Sequence, residues 1–156
     1  MIKDSGNRFQ FETGAVRDIQ ENKGRCDLLP LDVVSECMND IVLSHLDDFK
    51  KMGDPWILCV VLSVFAENSS FKDMPTMFLE VSKHFEEGCK KYGENNWQKG
   101  LPVSSYINSG TRHYLKWIRG DKDENHDLAF VWNITCAVWT CKNKPELNNY
   151  ARSKKN

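Results

Sequence analysis

The chain has 156 residues, 40% of them hydrophobic and 28% charged, with five Trp and eight Phe, which fits one globular domain with a real core and excludes a disordered chain. A formal net charge of −1 excludes an overall basic field that would recruit bulk nucleic acid or an anionic membrane, while leaving room for a local basic pocket. The most apolar run, Trp56 to Phe65, has about half of the roughly 20 residues that span a bilayer. The start Met1-Ile2-Lys3-Asp4-Ser5 has no apolar signal region, so a cytoplasmic protein is expected.

Residues 1–30 are polar and glycine-containing, with little periodicity, and are expected to form an irregular arm packed on the domain, with no strand hairpin. After Pro30 the period becomes helical: Val33, Val34, Cys37 and Ile41 predict one helix, with Asp32 as N-cap, stopped by Gly53-Asp54-Pro55. A short apolar helix follows from Trp56 to about Glu67. A third runs from about Pro75 to Tyr92 and ends at Gly93. Ser104 or Ser105 can cap a fourth helix running to Trp117, and Asp123 or Asn125 can start a fifth that reaches about Cys141. The expectation is an all-α bundle of about five helices over residues 31–142, followed by a polar, frayed tail at 143–156.

Cys26, Cys37, Cys59, Cys89, Cys136 and Cys141 contain no CxxC pair, so reduced, buried thiols are expected rather than a disulfide or structural zinc framework. On the third helix, Glu80, His84, Glu87 and Lys91 share one face. On the last, Asp123, His126 and Asn133 share another, with Asp127 at its margin. Carboxylates one turn apart on facing helices are how bundles build divalent-metal sites. Glu87, Asp123 and Asp127, with His84 or His126 nearby, make a candidate set for magnesium, and imidazole would tilt the choice toward manganese. The plainer reading is a solvated face, with Asp123 and Glu124 favouring a helix N-terminus.

Arg17, Lys23, Arg25, Lys90, Lys91, Lys99 and Arg112 are the candidate phosphate contacts, since guanidinium groups bind phosphate in a bidentate way. Arg112 shares a helix with Ser109 and His113, and Ser109 lies one turn from it; close helix packing by Ser109-Gly110 is an equal reading. Trp97, a large aromatic in a loop, is the candidate for stacking on a base, whereas Trp132 reads as core. No P-loop, nucleophile elbow or dinucleotide fingerprint is present.

The blocks Phe11-Glu12-Thr13-Gly14-Ala15-Val16-Arg17-Asp18 and Lys23-Gly24-Arg25-Cys26-Asp27-Leu28-Leu29-Pro30 resemble the start of a phage and prophage family described as dATP/dGTP diphosphohydrolases. The resemblance returns at His84-Phe85-Glu86-Glu87-Gly88-Cys89-Lys90-Lys91-Tyr92-Gly93 and Asn96-Trp97-Gln98-Lys99-Gly100. It continues through Ser109-Gly110-Thr111-Arg112-His113, Asp123-Glu124-Asn125-His126 and Trp132-Asn133, covering about half of the chain. That family is similar to the MazG-like all-α nucleoside triphosphate pyrophosphohydrolases, which hold magnesium on ExxE and ExxD clusters.

The resemblance implies a homo-oligomer acting on a nucleotide in the cytoplasm of an infected or lysogenic bacterial host, with Mg2+ or Mn2+. It implies Glu87, His84 and His126 as catalytic groups and Glu87, Asp123 and Asp127 as metal ligands. Arg17, Arg25, Lys91, Trp97, Lys99, Ser109, Arg112, His113 and Asn133 would contact the substrate. The chain departs from the pattern where it reads His84-Phe85-Glu86-Glu87 in place of ExxE. The segment from Leu31 to Lys83 is also longer than the resemblance implies, as an insertion covering the pocket or building a dimer interface would be. These departures favour an alternative, a phage sponge that sequesters a host nucleotide signal without cleaving it; a purely structural helical protein is a third reading.

Overall fold

The computed structural model describes residues 4–152, so the tail expected at Ser153-Lys154-Lys155-Asn156 lies outside the described residues. The fold is all-α, with seven helices and a two-stranded hairpin: β1 (Arg8–Gln10), β2 (Val16–Asp18), α1 (Leu31–Met38), α2 (Ile41–Met52), α3 (Pro55–Asn68), α4 (Met74–Tyr92), α5 (Val103–Arg119), α6 (His126–Asn143) and α7 (Asn149–Arg152). Single-turn 3-10 segments sit at Cys26–Leu28, Trp97–Lys99 and Pro145–Leu147.

The single helix expected after Pro30 is two. Asn39 adopts a left-handed conformation (φ 48°) and ends α1, and the Asp40 side chain then caps α2 by accepting from the Leu43 amide at 2.9 Å. Asp32 is therefore in the first turn of α1 and is not its cap. Asp54 caps α3 and Asp73 caps α4, each followed by a proline within two residues. Neither Ser104 nor Ser105 caps α5, because that helix already starts at Val103 behind Pro102. Instead Asn149, the first residue of α7, accepts from the Ser104 amide at 3.0 Å and donates to its hydroxyl at 2.6 Å.

The C-terminal segment is thus docked where a frayed tail was expected. Asn148 is buried and donates to the Gly53 carbonyl at 2.9 Å, and Tyr150 packs edge-on against Phe49. All six cysteines are free, but only Cys136 and Cys141 are fully buried; Cys37 is exposed.

Helices α5 and α6 form the most extensive packing in the molecule, at Gly110, where an added Cβ would lie 3.4 Å from Asn133 and Ile134 side-chain atoms. Close helix packing at Gly110 is thus what the small side chain serves. Helix α3 crosses α6 and buries Phe65 among Phe130, Tyr114 and Trp117. No residue of 31–83 lines the main cavity described below, so α1, α2 and α3 support the site from behind rather than cover it.

The arm contains the hairpin that the sequence did not announce. Arg8 pairs with Asp18, Phe9 with Arg17 and Gln10 with Val16, antiparallel, around a turn with Gly14 at φ 87°. Asn96 fastens β2 by accepting from the Val16 amide at 2.9 Å and donating to its carbonyl at 2.8 Å. Thr13 donates to the Gly100 carbonyl, and Asn108 accepts from the Cys26 amide. Asn96 and Asn108 are both buried, so each amide satisfies backbone that the irregular arm leaves unpaired.

Candidate functional site

Between the arm, α4, α5 and the first half of α6 lies a cavity of about 590 Å³. Each wall has its own chemistry. The arm supplies Arg17, Asp18, Gln20 and Lys23; α4 supplies His84 and Phe85; α5 supplies Tyr106, Ser109, Arg112, His113 and Lys116. The turn before α6 brings Asp123 and Glu124, α6 itself brings Trp132 and Asn133, and Trp97 closes one side. A volume of this size suits a nucleotide-sized ligand.

Arg17 is the residue whose environment most needs a ligand. One terminal nitrogen, Nη2, donates to Asn133 Oδ1 at 3.3 Å, and Asn133 is held in turn by donating to the Ala129 carbonyl at 2.8 Å. The other, Nη1, is buried with no hydrogen-bond partner among the described residues. The guanidinium carbon lies 5.8 Å from the centre of the Trp132 ring and 5.9 Å from that of Tyr106. No carboxylate forms an ion pair with Arg17 among the described residues, and burial pushes its pKa below the ordinary arginine value. The Trp132 indole nitrogen is also buried without a partner among the described residues. These two donors ask for an acceptor.

Arg112 is different. Its Nε donates to the Lys23 carbonyl (3.1 Å), Nη1 to Gln20 Oε1 (3.1 Å), and Nη2 to the Gly24 carbonyl (2.8 Å) and Asn108 Oδ1 (3.2 Å). Its three nitrogens are engaged by the arm and by Asn108, so the geometry makes it a staple that positions Gln20, Lys23 and, through the strand, Arg17. Ser109 joins the same network at Gln20 Oε1, 3.4 Å away.

Where α5 meets the start of α6, His113 Nδ1 is 2.9 Å from His126 Nδ1, and His126 Nε2 is 2.7 Å from Asp123 Oδ1. A carboxylate only accepts, so His126 directs a protonated Nε2 at Asp123 and its Nδ1 at His113. His126 is buried behind the cavity wall, while His113 lines the cavity. Burial first, and the His126 ring second, push His113 down to about 3; burial pushes His84 down to about 4. Both rings are neutral near pH 7. Ligand atoms of His113, Glu124 and His126 lie within 4.8 Å of one another, as do those of Asp121, Asp123 and His126.

Several expected site residues lie elsewhere. Arg25 is tied to Asp27 by two bonds of 2.8 and 2.7 Å and lines a second cavity on the other side of the arm. Lys99 is exposed and lines neither cavity, and Lys91 lies 3.8 Å from the cavity-lining Asp4 without lining the cavity itself. Asp127 accepts from the Leu128 amide at 2.8 Å and lines no cavity, the behaviour of an acidic residue in a first helical turn. Glu87 lines a smaller adjoining cavity of about 240 Å³ with His84 and Glu124. Glu87, Asp123 and Asp127 are therefore not brought together as one cluster among the described residues.

The reading from sequence missed Glu124, Gln20, Tyr106 and Lys116. Lys116 had a signal, because it lies three and four residues after His113 and Arg112 on one helix face. Trp132, read as core, is cavity wall.

No helix among the described residues is long and apolar enough to cross a membrane. No curated protein and no solved structure matches the chain. A family model does: residues 62–150 match dATP/dGTP diphosphohydrolase, N-terminal, a span that contains α4, α5, α6 and the histidine–carboxylate junction but not Arg17. With more than half of the sequence inside that match, the chain belongs to the dATP/dGTP diphosphohydrolase N-terminal family.

Proposed function

We propose that the 590 Å³ cavity binds a (deoxy)nucleoside triphosphate and hydrolyses it to the monophosphate and pyrophosphate. The observation that carries this reading is Arg17, a half-buried arginine whose Nη1 is buried with no hydrogen-bond partner and which pairs with no carboxylate among the described residues. A protein keeps such a group where an anionic ligand supplies the missing acceptor. Lys23 and Lys116 add positive charge along the same cavity, and the faces of Trp97 and Trp132 offer stacking for a base. In the reaction, a water oxygen bonds to the α-phosphorus and gives up a proton to solvent, the bond to the bridging oxygen of the β-phosphate breaks, and pyrophosphate leaves with the electron pair. Arg17 offsets charge on the phosphate oxygens, Asn133 fixes the orientation of Arg17, and Arg112 holds the arm that carries it.

A second reading is a phage sponge that binds a host nucleotide signal without cleaving it. It is favoured by the scatter of Glu87, Asp123 and Asp127, since Arg17 binds an anion with or without those carboxylates. The homo-oligomer belongs to the same proposal; Trp56 on α3 is 69% exposed and gives it an apolar face.

Purified protein incubated with dATP, dGTP, other triphosphates and cyclic or ADP-ribose-derived nucleotides, with Mg2+ or Mn2+, tests both readings. Chromatography is run on the mixture and on a heat-denatured sample. Monophosphate plus pyrophosphate supports hydrolysis. An intact nucleotide that is depleted and returns on denaturation supports the sponge and sinks hydrolysis. No binding of any member of the panel sinks both.

A further inference from the structure

We propose that the junction of α5 and α6 is a transition-metal site, with His113, His126 and Glu124 as its protein ligands, in place of the carboxylate magnesium cluster that the sequence suggested. The inference deepens the nucleotide reading of the cavity; it rests on that reading for what the ion does, and not for whether an ion binds.

The ligand atoms of these three residues already lie within 4.8 Å of one another. His126 is oriented for ligation: Asp123 engages the ring at Nε2, which leaves Nδ1 as the nitrogen facing His113. A carboxylate behind a ligating imidazole fixes the tautomer and raises the basicity of the other nitrogen. The 2.9 Å between the two Nδ1 atoms suits a hydrogen bond, and it equally suits two nitrogens sharing one ion. Two ligands at right angles, each about 2.1 Å from an ion, are about 3 Å apart.

Donor chemistry then selects the ion. Magnesium prefers oxygen and water; two imidazole nitrogens with one carboxylate favour Mn2+, Fe2+, Co2+, Ni2+ or Zn2+. Three protein ligands leave positions open for water or a ligand oxygen. Glu124 and His113 both line the cavity that Arg17 lines, so an ion here faces the same compartment as the anion-binding group. Bound there, the ion supplies a Lewis-acid charge for a phosphate oxygen or water.

The test uses the full chain, freed of metal with a chelator and then titrated without nucleotide. Expected are one Co2+ per chain with a visible absorption spectrum, histidine-nitrogen coupling in the electron spin resonance of bound Mn2+, and Mn2+ affinity at least about 100-fold above Mg2+. His113→Gln and Glu124→Gln, each checked for helical content, are expected to weaken Co2+ binding by about 10- to 100-fold or more. The half-exposed Glu124 keeps the test decisive if the His113 variant fails to fold. Mg2+ binding as tightly as Mn2+, no nitrogen coupling, no ion bound, or unchanged Co2+ affinity in both folded variants would each overturn the proposal. Nucleotide binding is measured separately in excess chelator. Retained nucleotide without nitrogen-ligated metal defeats this inference alone, and bound metal with no nucleotide under any condition defeats the nucleotide reading alone.

Discussion

Replacing Arg17 by Met removes the charge while keeping an unbranched, polarisable side chain to fill the space between Trp132 and Tyr106. In the ligand-free protein the unpartnered Nη1 carries an uncompensated penalty of about 1–3 kcal/mol. Against its removal stands the loss of the 3.3 Å bond to Asn133, about 1 kcal/mol, while Met retains part of the contact with the two rings. The balance runs from zero to about 2 kcal/mol in favour of Arg17→Met, so the thermal midpoint stays level or rises by up to about 8 °C. Nucleotide affinity moves the other way: losing a charge-assisted bond of about 1.5–3 kcal/mol weakens binding about 10- to 100-fold. Differential scanning fluorimetry and isothermal titration calorimetry on the same preparation give both numbers. A midpoint lowered by more than about 4 °C with nucleotide affinity intact would refute the reasoning and make Arg17 a structural strut.

Glu124→Gln is expected to reduce turnover by 100-fold or more and Glu87→Gln by less, because Glu124 joins His113 and His126 while Glu87 lines only the adjoining smaller cavity; steady-state pyrophosphate release ranks the two. Gly53→Ala should lower stability by about 2–4 kcal/mol, since the residue sits at φ 68° and its new Cβ would lie 2.7 Å from the Ala151 amide nitrogen; a fall in midpoint of about 4–16 °C on thermal melting checks it. Arg112→Lys removes the planar fork that reaches Lys23, Gly24 and Gln20 together, so limited proteolysis within residues 20–25 should accelerate while far-ultraviolet circular dichroism stays helical.

Much of the architecture was legible because its signals are local. Gly53-Asp54-Pro55 ends one helix, caps the next and supplies its first residue, and Gly93 closes α4 as its position suggests. The break at Asn39-Asp40 was written in the same code, a left-handed Asn before a capping Asp, but the apolar period continues across it and hides it. The hairpin was not legible, since three-residue strands carrying Arg8, Arg17 and Asp18 show no alternation, and their pairing is held by Asn96 from 80 residues away. The docked tail failed for the same reason. Asn148 and Asn149 are polar by composition, and only Gly53 and Ser104 in space give their amides partners.

For the site, spacing along one helix identified faces but not which faces meet. Asp123 and His126 do meet, but not on one helix face as read: α6 starts at His126, Asp123 and Glu124 come from the turn before it, and His113 comes from the packing of α5 on α6. Arg112 and Arg17 were indistinguishable as sequence. Folding separates them: one has its three nitrogens bonded to the arm and to Asn108, the other has a nitrogen buried with no partner among the described residues.

The same division explains how the cavity is assembled. The histidine–carboxylate junction lies within residues 62–150, on helices whose positions are set by the Gly110 packing and by the Phe65 aromatic cluster. The anion-binding group lies outside that span, on a two-stranded arm that has almost no core of its own and is held by Asn96, Asn108 and Arg112. An arm fixed by a few polar contacts opens at lower cost than a packed helix does. A bound anion bridging Arg17 and the α5–α6 junction would therefore tie together the least and the most firmly held parts of the protein. Its stabilisation should appear first in the arm, as hydrogen-exchange protection of the Val16 and Cys26 amides, with the α5–α6 core changing little. Protection confined to α5 and α6, with the arm unaffected, would place the anion away from Arg17.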